Sequence, residues 1–165
     1  MTEKPLAAAD ANGPPRLAAA IEKAGLVVAV GYHLRALDIL SEIRDRLGEA
    51  PPRLVVARWL DSTPGPTWWG RAAEGGGQVI EQATHLYDLA RLILGEATVV
   101  GAASTRDLLG SPRGVDVTDS TATVLRFANG AVGSFDSSLV LSTYADALKT
   151  DRLTRAVVAA TGAPG

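Results

Sequence analysis

The segment STATVLRFANGAVGSFDSSLVL, Ser120 to Leu141, constrains this chain's fold more than any other stretch. Two β-prone halves flank Asn129-Gly130, and those two residues tolerate the positive φ angles that a type I′ hairpin turn requires. The reading is a hairpin, hence antiparallel sheet. RLVVARWL (Arg53–Leu60) and ATVVGAAST (Ala97–Thr105) read as further strands. Between them lies GGGQVIEQATHLYDLARLILGE, Gly75 to Glu96, in which Val79, Ala83, Leu86, Ala90 and Ile93 recur at helical spacing. One central helix among strands, with more strands after it, is an α+β pattern: an open, mostly antiparallel sheet with helices on one face.

The remaining segments flank this unit. RLAAAIEKA is rich in helix formers and stops at Gly25. LVVAV, Leu26 to Val30, is a continuous β-branched run, the pattern of a strand covered on both faces in a parallel sheet. Leu37, Leu40, Ile43 and Leu47 predict a helix that ends at Gly48 and Pro51-Pro52, and YADALKTDRLTRAVVAAT predicts a last one with Ala147, Leu148, Leu153, Val157 and Val158 as its apolar side. DSTPGPTWWGRAAEGG reads as a loop carrying Trp68 and Trp69, and RDLLGSPRGVDVTD as another.

Hydrophobic residues at 47% and charged residues at 21% allow a packed core and exclude wholesale disorder. The net charge of -2 and the lack of any basic stripe give no reason to expect nucleic acid. The chain has no cysteine, which removes disulfides, thiol catalysis and cysteine-based metal sites and fits a reducing compartment. MTEKPLAAADANGPPRL lacks the basic and apolar regions of a signal peptide, and no apolar run approaches the ~20 residues of a bilayer span. The expectation is a soluble, cytoplasmic protein with no membrane partner.

Glu81, His85 and Asp88 follow the same helical spacing as the apolar stripe, but nearly opposite it. That line is either a solvated face or one wall of a reaction site. A carboxylate one turn from a histidine fixes its tautomer and raises its basicity. No metal is assigned, because the only other histidine, His33, has no pairing in the sequence pattern. Gly75-Gly76-Gly77 either lets backbone approach a ligand or is a flexible loop end; no G-x-G-x-x-G occurs. Trp68 and Trp69 either stack on a sugar or nicotinamide ring or cap the core.

EKPLA (Glu3–Ala7), VAVGYHLR (Val28–Arg35) and the central helix occur in an order and spacing that resemble the Gfo/Idh/MocA oxidoreductases. The resemblance runs from Glu3 to about Leu141, and the last helix resembles that family's final one. It implies a Rossmann-type remnant over residues 1–34 and a C-terminal α+β domain over residues 35–165, whose sheet commonly forms the dimer interface. It further implies oxidation of a hydroxyl, or reduction of a ketone, on a sugar or polyol with NAD or NADP. Lys4 then contacts the substrate hydroxyl and the nicotinamide ribose, His85 relays the proton, and Glu81 stands where most members have Asp. Asp88, Trp68 and Trp69 fall to the substrate side, and Arg35 lies near the cofactor. In the family the nucleotide-binding βαβ units precede E-K-P, so this polypeptide is expected to have no strong dinucleotide site of its own, and Leu26–Val30 to expose apolar surface. Hairpin strands also continue further past Leu141 in the family. The other function left open is a non-catalytic domain that dimerises or binds sugar through its sheet.

Overall fold

A computed structural model describes residues 1–8, 10–106 and 115–139, together with residues 152, 153, 155, 156, 159 and 160. The elements are α1 (Gly13–Lys23), α2 (Leu40–Glu49), β1 (Leu54–Asp61), α3 (Thr84–Leu94), β2 (Ala97–Thr105), β3 (Ser120–Phe127) and β4 (Val132–Leu139). Short 3-10 turns cover His33–Ala36 and Thr67–Gly70, and a π-helical turn, Val79–Ala83, leads into α3. The fold is α+β, as the hairpin and the central helix predict.

The strands form one open sheet in the order β1-β4-β3-β2. β2 pairs with β3 and β3 with β4 in antiparallel fashion, whereas β1 runs parallel to β4, from Leu54 opposite Val132 to Asp61 opposite Leu139. β2 carries a bulge between Val99 and Gly101. Alternation along β3 and β4 sends Leu125, Phe127, Phe135 and Leu139 inward. Most of these residues meet Ala90 and Leu94 of α3, with Val55, Ala57, Leu86 and Ile93 packed around them. Tyr87 stacks on Phe135 with ring centroids 4.8 Å apart. Each large apolar side chain buried here contributes about 1.5–3 kcal/mol. The opposite face of the sheet carries Leu54, Val56, Leu60 and Val124, all exposed.

The hairpin turn sits one residue earlier than a two-residue Asn129-Gly130 turn. Gly130 N–H donates to Phe127 C=O at 2.9 Å, so Ala128 and Asn129 are the central residues. Gly130 follows at φ +89°, and Asn129 Oδ1 accepts from Ala131 N–H at 2.9 Å. This is the three-residue connection with a left-handed glycine, which matches strand twist as well as the shorter turn does.

The run Leu26–Val30 departs from the expected covered strand. It makes a single parallel bridge, Thr2 with Val30, through Thr2 N–H to Ala29 C=O at 2.8 Å and Gly31 N–H to Thr2 C=O at 2.9 Å. Leu26, Val27 and Val28 are exposed. A β-branched run becomes a strand only where a neighbouring strand takes its hydrogen bonds, and among the described residues Thr2 alone bridges to it.

Of the expected last helix, Arg152, Leu153, Arg155, Ala156, Ala159 and Ala160 are helical, with Leu153 exposed. Ala147, Leu148, Val157 and Val158 lie outside the described residues, as do residues 107–114 of the second loop. Among the described residues no helix is long and apolar enough to cross a membrane.

Candidate functional site

The glycine triplet seats the start of the central helix against protein. Gly77 has φ +77°, and a Cβ there would lie 2.8 Å from Val117 Cβ. A side chain at Gly75 would meet the Trp69 backbone at 2.9 Å. Both neighbours belong to the chain, so the close approach that glycine permits serves packing.

The π turn then changes the helix phase. A wider turn inserts an extra residue and rotates what precedes it relative to α3. Val79 therefore leaves the stripe assigned to it: it borders a hollow with Tyr32, Thr84 and Tyr87, while Leu86, Ala90 and Ile93 border another with Val55 and Ala57. Glu81 lies inside the π turn.

The polar line is not a solvated face. Glu81, His85 and Asp88 are 9%, 4% and 5% exposed. They are covered by the N-terminal segment and by the His33–Ala36 turn, which lie across this side of the helix. Lys4 Nζ donates to the Glu81 backbone carbonyl and stands 3.5 Å from Glu81 Oε2. Arg35 grips Asp88 with two parallel bonds, Nε to Oδ2 at 2.7 Å and Nη2 to Oδ1 at 2.5 Å. That bidentate geometry is the strong form of the Arg–carboxylate pair.

His85 lies between these two clamps. Its Nδ1 is buried with no hydrogen-bond partner among the described residues. Three rings surround it: His33 at 4.0 Å between centroids, Tyr32 at 6.0 Å edge-on, and Trp59 of β1 stacked at 6.1 Å. Burial lowers the His85 pKa below its ordinary value, and the nearby cationic forms of His33 and Lys4 lower it further, against weaker opposition from Asp88 and Glu3. The neutral imidazole is thus favoured.

Lys4, Glu81, His85, Asp88 and Arg35 therefore come together, although the first and last of them span 84 positions of chain. Arg35 spends its guanidinium on Asp88, and Asp88 is occupied by Arg35. Trp69 is buried with Val117 and Leu139 in a second small core, whereas Trp68 is 45% exposed. The indole against His85 is Trp59. The alternation Val55, Ala57, Trp59 along β1 points it toward α3 and was the available signal. His33 carries no local signal, because its partner lies 52 positions away.

Comparison with known proteins returns one family description. Residues 45–159 match the model of the GFO/IDH/MocA C-terminal domain. Levoglucosan dehydrogenase of Pseudarthrobacter phenanthrenivorans is 29% identical over 164 residues, covering 82% of this chain and 42% of that protein. Among solved structures, GenD2 from gentamicin A biosynthesis in complex with NAD superposes with a TM-score of 0.73 at 26% identity, covering 86% of this chain and 41% of that one. A levoglucosan dehydrogenase complex with NADH and L-sorbose gives a TM-score of 0.63 at 25% identity, over 76% of this chain and 37% of that one. The chain spans about 42% of the length of the first of these relatives.

Proposed function

The chain belongs to the GFO/IDH/MocA family through its C-terminal domain, and from that premise we propose that it forms the substrate-facing part of a nicotinamide-dependent dehydrogenase for a sugar or polyol. The observation that carries this reading is the burial of His85 beside Lys4 and Glu81, with Nδ1 unpartnered and the neutral ring favoured. A buried, uncharged imidazole next to a cation suits a group that takes a hydroxyl proton while the oxygen stays bound. The relatives' complexes, one with NAD and one with NADH and L-sorbose, support the same chemistry in this chain.

When bound, nicotinamide takes up or gives the hydride. The other half of the reaction falls to the protein. Lys4 donates to the substrate oxygen. His85 accepts the hydroxyl proton in oxidation and returns it in reduction. Glu81 holds the Lys4 amine in place. Asp88 and Arg35 act by positioning, since each is saturated by the other. The residues present fit the reacting end of a dinucleotide; these 165 residues hold no G-x-G-x-x-G turn to grip a pyrophosphate. We assign that grip to a nucleotide-binding domain outside them.

Titration of the chain with monosaccharides, anhydrosugars and polyols, followed by indole fluorescence, tests the reading, because Trp59 stacks beside His85. Saturable quenching by one of these classes, weakened in Lys4→Ala, is expected. Hydride transfer, read by NAD(P)H absorbance, should then need a nucleotide-binding domain supplied alongside. Failure of every class to give saturable quenching sinks the proposal.

The exposed outer face of the sheet, with Leu54, Val56, Leu60 and Val124, favours a second role in pairing two copies of the chain. Sedimentation of Val56→Asp against the parent protein checks it: a shift to monomer is expected, and identical sedimentation removes the pairing face.

A further inference from the structure

His33 is the one histidine that the proposed chemistry leaves unused. It is exposed, whereas His85 is 4% exposed, and the two rings are in contact at 4.0 Å between centroids with planes 64° apart. The turn that carries His33 also carries Arg35, and Arg35 binds Asp88, one helical turn beyond His85. The His33–Ala36 turn is thereby fastened to the same helix as the ring it covers. His85 sits at the closed end of this arrangement, with an unpartnered Nδ1 and Trp59 behind it.

We propose that His33 is the proton conduit for His85: the exposed ring exchanges protons with water and, through a bridging water or a small turn of either ring that brings nitrogen to nitrogen, passes them to and from the buried one. This rests on the assignment of His85 as the proton-handling group. In oxidation the hydroxyl proton would move to His85, then to His33, then to water; in reduction it would travel the reverse way. Two adjacent imidazoles resist being charged together, so a charge on His33 disfavours one on His85. The other groups facing His85 are Lys4 and Glu3 of the N-terminal segment, Tyr32 and Arg35 of the turn, and Glu81 and Asp88 of its own helix. Arg35 and Asp88 neutralise each other, and so do Lys4 and Glu81. Glu3 favours the charged form of His85 only weakly, and His33 is the neighbour whose ring lies nearest, at 4.0 Å between centroids.

The chain has two histidines, so imidazole NMR of the whole protein yields two resolvable ring systems without cofactor or substrate. In the parent protein the His85 resonances should show a second inflection at the His33 midpoint. In His33→Gln that inflection should vanish, the His85 midpoint should rise, and exchange of the His85 ring proton with water should slow several-fold. Free imidazole added to the variant should restore the fast exchange. A single, unshifted His85 midpoint in both proteins, or exchange equally fast in both, overturns the proposal. Should His33→Gln fold poorly, the second inflection in the parent protein alone decides the coupling. These readouts need no turnover, so a failed sugar titration alongside a coupled pair would sink the dehydrogenase reading and leave the coupled pair standing, and the opposite pattern would do the reverse.

Discussion

Helix α3 and the run Leu26–Val30 are both strongly apolar, yet one is the centre of the molecule and the other lies almost bare. α3 rests on a four-stranded sheet, and Ala90, Leu94, Phe127 and Phe135 close over one another at 2–6% exposure. Leu26–Val30 has one bridge, Val27 is fully exposed, and no residue of the neighbouring α1 is buried. A hollow of about 680 Å³ opens between α1 and that run, lined by Leu6, Leu17, Ile21 and Val28. Hydrophobic content alone therefore does not make a core. Burial needs a second layer of matching shape, and the sheet supplies it only for α3.

Substitutions on either side of this contrast should differ by an order of magnitude. Phe135→Ala empties the centre of the α3–sheet contact and should cost about 3–5 kcal/mol, read as a lowered urea midpoint; a loss below about 1 kcal/mol would mean that this layer is no better packed than the N-terminal region. Asp88→Ala breaks the clamp that ties the His33–Ala36 turn to α3. Its cost should fall at the lower end of the about 1.5–3 kcal/mol typical of charged hydrogen bonds, because the Arg35 side chain is 47% exposed and regains water. Denaturation of Asp88→Ala beside Arg35→Ala measures it, and additive losses would show that the two residues do not act as a pair.

A pH dependence sharpens the same comparison. The folded-state pKa of His85 lies below its ordinary value of 6.5, chiefly through burial. Between 6.5 and that lower value the unfolded chain binds more protons, so stability should fall as pH falls through this window. Above it both states hold a neutral ring and the effect is absent. His85→Gln should flatten this part of the stability–pH curve, and an unchanged slope would place the imidazole in water. The smallest effect is expected at Leu17→Lys in α1. That side chain is 59% exposed, and the change should stay within about 0.5 kcal/mol by thermal denaturation. A larger loss would mean that α1 is packed in solution.

Much of the fold could be read from local pattern, because strands and helices announce themselves by periods of 2 and 3.6. Arg53–Leu60 predicts β1 to within a residue, and Ala97–Thr105 coincides with β2. The turn was misplaced by one residue because Asn129-Gly130 suits both the two-residue and the three-residue connection. Leu26–Val30 misled because β propensity describes what a segment does beside a partner. Of the site, the line Glu81, His85, Asp88 was visible as spacing, but its burial was not: coverage comes from Lys4 and Arg35, far away in sequence. The π turn left no mark in the pattern, which is why Val79 was assigned to the wrong stripe. Trp59 and His33 join the site by tertiary contact alone.

The parallel pairing of β1 with β4 has a consequence for how the protein is made. β1 leaves the ribosome roughly 70 residues before its partner, and at ~5–20 residues per second that is a wait of several seconds. During it, Val55 and Ala57, which end packed against Phe135 and its neighbours, have no ladder to join and no finished core to enter. The nascent chain is therefore most vulnerable to capture by chaperones, or by its neighbours on a polysome, in the interval that begins with β1 and closes with β4.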